Sequence, residues 1–97
     1  MSNREKLWNL INGLLNASYI PKSFCDAFSR IYDLEIDYDT LSEEEKCEFR
    51  DLSEMAGRFS DDAEELKIPH MYFSASEIIN KAKHIKEKLG GIYWRKI

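Results

Sequence analysis

Residues 42–59 read SEEEKCEFRDLSEMAGRF and carry the clearest helix signal in the chain. Ser42 and Glu45 have the spacing of a capping box, in which each side chain accepts a hydrogen bond from the other residue's backbone N–H. Two further glutamates add negative charge to the first turn, where the helix dipole favours it. Apolar residues then recur at helical spacing up to Phe59. The segment therefore predicts an α-helix that begins at Ser42 and ends near Phe59.

Two amphipathic helices are predicted before this segment. Apolar residues recur at helical spacing from Leu7 and predict a helix over about residues 4–17. Pro21 is a favoured first position for a second helix, which is expected to run to about Leu34. Residues 33–40 then alternate acidic with apolar side chains. This alternation fits either an extended link or a helix that frays, and the fraying helix is the favoured interpretation.

A short helical turn and a last helix are predicted after this segment. The turn covers about residues 62–66, and Ser74 with Glu77 forms a second capping box. The glycine pair at residues 90–91 is typical of a helix end. Residues 1–90 are therefore expected to form one all-α domain, a four-helix bundle with a short extra helical turn. Residues 91–97 are expected to be a C-terminal tail docked on the bundle.

Charge is distributed unevenly along the 97 residues, which include 18 acidic and 14 basic side chains. Residues 33–65 hold 14 of the acids and three of the bases, a net charge of −11, whereas the rest of the chain holds four acids and eleven bases. An acidic surface repels nucleic acid and steers basic partners towards it. Lysines at residues 81–88 could bind phosphate, but cations near a helix C-terminus also stabilise the helix dipole. The structural interpretation is favoured, so nucleic-acid binding is not expected.

The sequence shows no recognisable pattern for catalysis, nucleotide binding or metal binding. The glycines fit neither GxGxxG nor GxxxxGK[ST], and the two histidines lie outside an HExxH pattern. Cys25 and Cys47 are expected to be two buried thiols rather than a pair. The longest apolar run is far shorter than the ~20 residues that span a bilayer, and no signal-peptide pattern is seen. We therefore expect a cytoplasmic protein that is not an enzyme and needs no cofactor, metal or membrane.

Five blocks of the sequence form a more specific pattern. They are FCxxFxxxY (24–32), LSEEE (41–45), AGRFSxDxExL (56–66), IP (68–69) and YFxxxE (72–77). Together they resemble the colicin D-type immunity proteins, a family that includes immunity proteins of contact-dependent growth inhibition systems. The resemblance implies a small helical bundle that forms a 1:1 complex with the nuclease domain of its cognate toxin, commonly a tRNA-cleaving ribonuclease. It also implies that an acidic surface occludes the basic active-site cleft of that toxin.

On this interpretation the toxin-binding residues are the acids that flank the third helix and the tyrosines beside them, namely Asp33, Glu35, Asp37, Tyr38, Asp39, Asp61, Asp62, Glu64, Glu65 and Tyr72. Carboxylates can imitate phosphates, and aromatic side chains can form the desolvated centre of a tight interface. A second group is expected to organise the fold, namely Ser42, Glu45, Arg58, Phe59, Ser60, Ser74 and Glu77. Arg58 is expected to pair with a carboxylate near the acidic turn. The alternative function is an acidic helical adaptor or regulator that binds another basic protein.

Overall fold

Five α-helices make up most of the described chain. This computed structural model describes the backbone of residues 2–69 and 71–95, and it describes the side chains of these residues up to Gly90. The helices are α1 (Asn3–Leu15), α2 (Pro21–Arg30), α3 (Glu43–Gly57), α4 (Ala63–Leu66) and α5 (Ala75–Arg95). A π-helical turn at Ile31–Glu35 continues α2, and a 3₁₀ turn at Tyr38–Thr40 precedes α3.

The four longer helices surround one hydrophobic core. Helix α1 packs against α2 and α5, and α3 packs against the same two helices. The four-residue α4 is an extra helical turn in the connection between α3 and α5. The predicted all-α four-helix bundle with a short extra turn is confirmed.

Aromatic side chains join three of these helices at the centre of the core. Trp8 of α1, Phe28 of α2 and Phe49 of α3 are almost completely buried. The ring of Phe49 lies 5.4 Å from Trp8 and 5.8 Å from Phe28, edge-on to both. Such pairs contribute about 0.5–1.5 kcal/mol each beyond the burial of their area. Phe49 therefore fixes how α3 sits against α1 and α2.

Both predicted capping boxes are present. The Ser42 hydroxyl accepts from the Glu45 N–H at 3.1 Å, and the Glu45 carboxylate accepts from the Ser42 N–H at 2.9 Å. At the start of α5 the Ser74 hydroxyl accepts from the Glu77 N–H at 3.3 Å, and the Glu77 carboxylate accepts from the Ser74 N–H at 3.1 Å. These local contacts set the first residues of α3 and α5.

The predicted helix end at residues 90–91 is wrong, because α5 continues through both glycines to Arg95. Glycine inside a helix costs about 1 kcal/mol relative to alanine, which is a weak preference that packing can outweigh. Leu89 and Gly90 are both buried, so the helix is still packed against the bundle at this point. The predicted docking of the tail falls on Lys96, Ile97 and the side chains of residues 91–95, which lie outside the described residues.

The two cysteines have different environments. Cys25 is buried as predicted, and burial, with a smaller contribution from Asp26, raises the pKa of its thiol to about 12. Cys47 is exposed, so the expectation that it is buried is wrong. The buried residues of α3 include Phe49, Leu52 and Ala56, which share one face of the helix. Cys47 lies on the opposite face.

Candidate functional site

Glu45 lies within the acid-rich residues 33–65, but it is buried in the bundle with three donors around it. Its carboxylate accepts from Arg4 Nε at 2.9 Å, from Trp8 Nε1 at 2.8 Å and from the Ser42 N–H at 2.9 Å. Burial alone would raise the pKa of Glu45, but the hydrogen bonds from Ser42, Trp8 and Arg4 outweigh it and hold the pKa below its ordinary value. The expected capping role of Glu45 is confirmed, and the same carboxylate also ties α1 to α3.

Glu48 is the second acid that the bundle uses internally. Its carboxylate lies 2.9 Å from Lys81 Nζ and 3.4 Å from Lys88 Nζ, both on α5. The hydrogen bond from Lys81 is the main reason that the pKa of Glu48 is lower than usual, in spite of burial. Lys81 and Lys88 therefore hold α5 against α3.

Residues 33–39, which we call the acidic loop, carry carboxylates that are exposed. The backbone that carries them is held at several points. Asn3 Nδ2 donates to the Glu35 carbonyl at 2.7 Å, and the Tyr38 hydroxyl donates to the Tyr32 carbonyl at 3.0 Å. The Asp37 carboxylate accepts from the Asp39 N–H at 3.0 Å. The loop therefore presents charge from a fixed backbone, with one carboxylate, Glu35, paired to Arg30 at 3.4 Å.

Residues 61–65, which we call the acidic turn, are organised by the buried Ser60. The Ser60 hydroxyl donates to the Glu65 carboxylate at 2.7 Å and accepts from the Asp62 N–H at 3.0 Å. Asp62 caps α4 by accepting from the Glu64 N–H at 2.9 Å. A hydrogen bond to Glu65 raises the pKa of the Tyr72 hydroxyl. Ser60 therefore has the organising role expected from the sequence.

The acidic turn is joined to the start of α5 through the backbone. Phe59 and Phe73 pair as an isolated parallel bridge, in which the Phe73 N–H donates to the Arg58 carbonyl at 2.9 Å and the Ser60 N–H donates to the Phe73 carbonyl at 3.0 Å. Both phenylalanine rings pack partly against the core. The expected ion pair of Arg58 is not found, because its exposed guanidinium pairs with no carboxylate among the described residues. Arg58 contributes through its carbonyl instead.

A groove of about 430 Å³ lies between α2 and the acidic turn. Three carboxylates and one lysine lie along it together with small residues, and the lining includes Lys22, Asp26, Ser29, Gly57, Asp61 and Glu65. The Ser29 hydroxyl is buried and has no hydrogen-bond partner among the described residues. The groove is therefore acidic overall, and α2 contributes to that charge.

Asp33 lies on the same side of the molecule as this groove. Its carboxylate accepts from the Ser53 hydroxyl at 3.2 Å. Ser53 is four residues before Gly57 on α3, and Asp33, in the π-helical turn that continues α2, is four residues after Ser29. About one helical turn along each of these two packed elements therefore separates Asp33 from the groove.

Asp37 and Asp39 lie at the other end of α3. They precede the first residue of that helix, whereas the acidic turn follows its last residue. A helix of 15 residues is about 22 Å long. Asp33 therefore lies towards the acidic turn, whereas Asp37 and Asp39 lie apart from it. Only part of the acidic loop is thus on the same side of the molecule as the acidic turn.

Asp26 is a candidate residue that sequence reasoning missed. It lies on the groove with Asp61 and Glu65, but it falls outside the acid-rich residues 33–65. Its spacing of seven residues before Asp33 was the available signal, because residues seven apart lie on one face of a helix.

Tyr38, Tyr72 and Phe59 are the aromatic side chains that lie in or beside the acidic loop and the acidic turn. Tyr38 is 44% exposed, but its ring packs edge-on against Tyr32 at 5.3 Å. Tyr72 and Phe59 are both half-buried, and the Phe59 ring packs against the core. Part of each of these three side chains is therefore buried within the molecule, and only the rest is accessible to a partner.

Comparison with models of protein families, with curated proteins and with solved structures finds no match for this chain. Within residues 2–69 and 71–95, no helix is long and apolar enough to cross a membrane. Over the same part of the chain, histidine, cysteine and carboxylate side chains form no group of three that could hold a metal ion.

Proposed function

We propose that this protein is an immunity protein that binds the nuclease domain of a cognate bacterial toxin and occludes its basic active-site cleft. The nuclease we propose is a tRNA-cleaving ribonuclease of a colicin or contact-dependent growth inhibition system. One observation carries the proposal: the carboxylates of the acidic loop and the acidic turn are mostly exposed on a backbone that side-chain hydrogen bonds hold in place.

This arrangement suits inhibition because a ribonuclease cleft carries cationic donors that bind the phosphates of RNA. Carboxylates satisfy the same donors through charge-assisted hydrogen bonds. The concentration of negative charge also accelerates encounter with a basic partner. Because Ser60 already holds Glu65 through a hydrogen bond, less side-chain entropy is lost when a partner contacts the acidic turn.

The test uses the purified toxin domain encoded beside this chain and measures binding over a range of salt concentrations. Asp39→Lys and Asp61→Lys are the variants of choice, because neither carboxylate makes a hydrogen bond or ion pair with the described residues. We expect the double variant to associate at least about tenfold more slowly and to show a weaker salt dependence. It should also fail to protect tRNA from cleavage.

Glu87→Lys is the matched control, since it makes the same change of charge at an exposed position of α5. It should alter the association rate less than either aspartate variant. Unchanged affinity in the double variant would contradict occlusion by the acidic surface. Absence of any complex with the toxin domain would instead favour the adaptor alternative.

A further inference from the structure

Three large apolar side chains are exposed directly after the acidic turn. Leu66 is 36% exposed, Ile68 is 47% exposed and Met71 is 52% exposed. A single exposed apolar residue is common on protein surfaces, but a cluster of them marks an interaction site. Because these three exposed side chains lie within six residues of sequence, one partner surface can contact all of them. We call them the apolar strip.

The backbone around the apolar strip is held by hydrogen bonds. The Leu66 N–H donates to the Asp62 carbonyl at 3.0 Å, and the Ile68 N–H donates to the Glu65 carbonyl at 3.0 Å. Just beyond the strip, the Phe73 N–H donates to the Arg58 carbonyl, and the Phe73 ring packs against the core. The chain thus buries part of Phe73 while leaving the strip exposed.

The charges beside the strip indicate what kind of surface can cover it. Four carboxylates precede it within the acidic turn. The one lysine among residues 61–69, Lys67, already pairs with Glu64 at 3.2 Å. A second copy of this chain that contacted the strip through its own strip would bring like charges together across the interface, which is unfavourable. A basic surface with an apolar patch is complementary to both features.

We propose that Leu66, Ile68 and Met71 form the apolar contact area of the complex and pack against an apolar patch beside the basic cleft of the nuclease toxin. This inference rests on the proposed function and adds the part of the interface that excludes water. Tight interfaces combine a desolvated apolar centre with surrounding polar contacts. The strip supplies that centre, and the acidic turn supplies the adjoining charge.

The test is the affinity of Ile68→Ser/Met71→Ser for the purified toxin domain, beside the wild-type chain. We expect an affinity loss of at least about tenfold, mostly through faster dissociation. The dependence of affinity on salt should stay that of the wild type, because the lost contacts carry no charge. Leu34→Ser is the matched control, since Leu34 is 81% exposed and lies in the acidic loop. It should cost less than the strip variant.

A second readout does not depend on how the variant folds. In the wild-type chain, the methyl resonance of Met71 should shift when the toxin domain binds, whereas that of the half-buried Met55 should move less. Unchanged affinity of the strip variant, or a loss confined to Leu34→Ser, would overturn this inference while the wild-type complex still supported the immunity function. A wild-type chain that does not bind the toxin domain would overturn both.

Discussion

Glu45 and Glu48 in α3 and the carboxylates of the acidic turn have the same charge but different roles. The two glutamates are buried and join α3 to α1 and α5 through Arg4, Trp8 and lysines. In the acidic turn, Asp61, Asp62 and Glu64 are exposed, and their contacts are local: Asp62 accepts from the Glu64 N–H, and Glu64 pairs with Lys67 three residues later. The net charge of a segment therefore overstates the charge that is accessible to a partner.

Removing the buried carboxylate should produce the largest effect. Glu45→Ala removes the buried carboxylate that accepts from Arg4, the Trp8 indole and the Ser42 N–H, so the free energy of unfolding should fall by about 3–5 kcal/mol. Glu44→Ala is the neighbouring control, because Glu44 is exposed, and it should cost about 0.5 kcal/mol or less. Urea unfolding followed by circular dichroism measures both. Equal losses would remove the distinction between buried and exposed acids.

Acid should destabilise the fold through the same buried pair. The pKa of Glu45 and of Glu48 is lower in the folded chain than its ordinary value of 4.5. Their contribution to stability is therefore complete above that value and is lost as the pH falls through the lowered folded pKa. The free energy of unfolding, measured from about pH 7 down to about pH 3, should fall below about pH 4.5.

Glu48→Gln removes one of these two carboxylates and shows how much of the pH dependence of the free energy of unfolding comes from Glu48. Its unfolding free energy should be lower than that of the wild type at neutral pH, because Lys81 and Lys88 lose a charged partner. The two curves should then converge as the pH falls. Parallel curves would mean that Glu48 takes no part in the acid response.

The smallest effect on stability is expected in the acidic turn. Asp61→Asn with Glu64→Gln removes two exposed charges, and the free energy of unfolding should change by about 0.5 kcal/mol or less. Differential scanning calorimetry would check this. A loss comparable with that of Glu45→Ala would show that the turn, like the buried pair, supports the fold.

The parts of the fold that the sequence predicted are those set by neighbouring residues. The capping boxes at Ser42 and Ser74 depend on a residue three positions away, so spacing alone revealed them. The glycines at residues 90–91 predicted a helix end, but their local preference is only about 1 kcal/mol, and α5 is still packed against the bundle at Leu89 and Gly90.

The candidate site was predicted less completely, because its geometry depends on contacts between distant residues. Glu45 meets Arg4 across 41 positions of sequence, and no local pattern encodes that contact. A partial signal existed, since Glu45 and Glu48 fall on the same helical face as the apolar Phe49 and Leu52. Asp26 was missed for a related reason: its spacing from Asp33 was visible in the sequence, but the position of α2 beside the acidic turn is visible only in three dimensions.

The position of Glu45 also has a consequence for the order of folding. Its bonds with Ser42 span three residues, whereas its bonds with Trp8 and Arg4 span 37 and 41. Short-range contacts close quickly, and long-range contacts must first overcome the entropy of a larger loop. During synthesis, α1 therefore exists without its buried acceptor until the chain has been extended to α3. Helix α1 is therefore fixed in place late, although it is synthesised before α3.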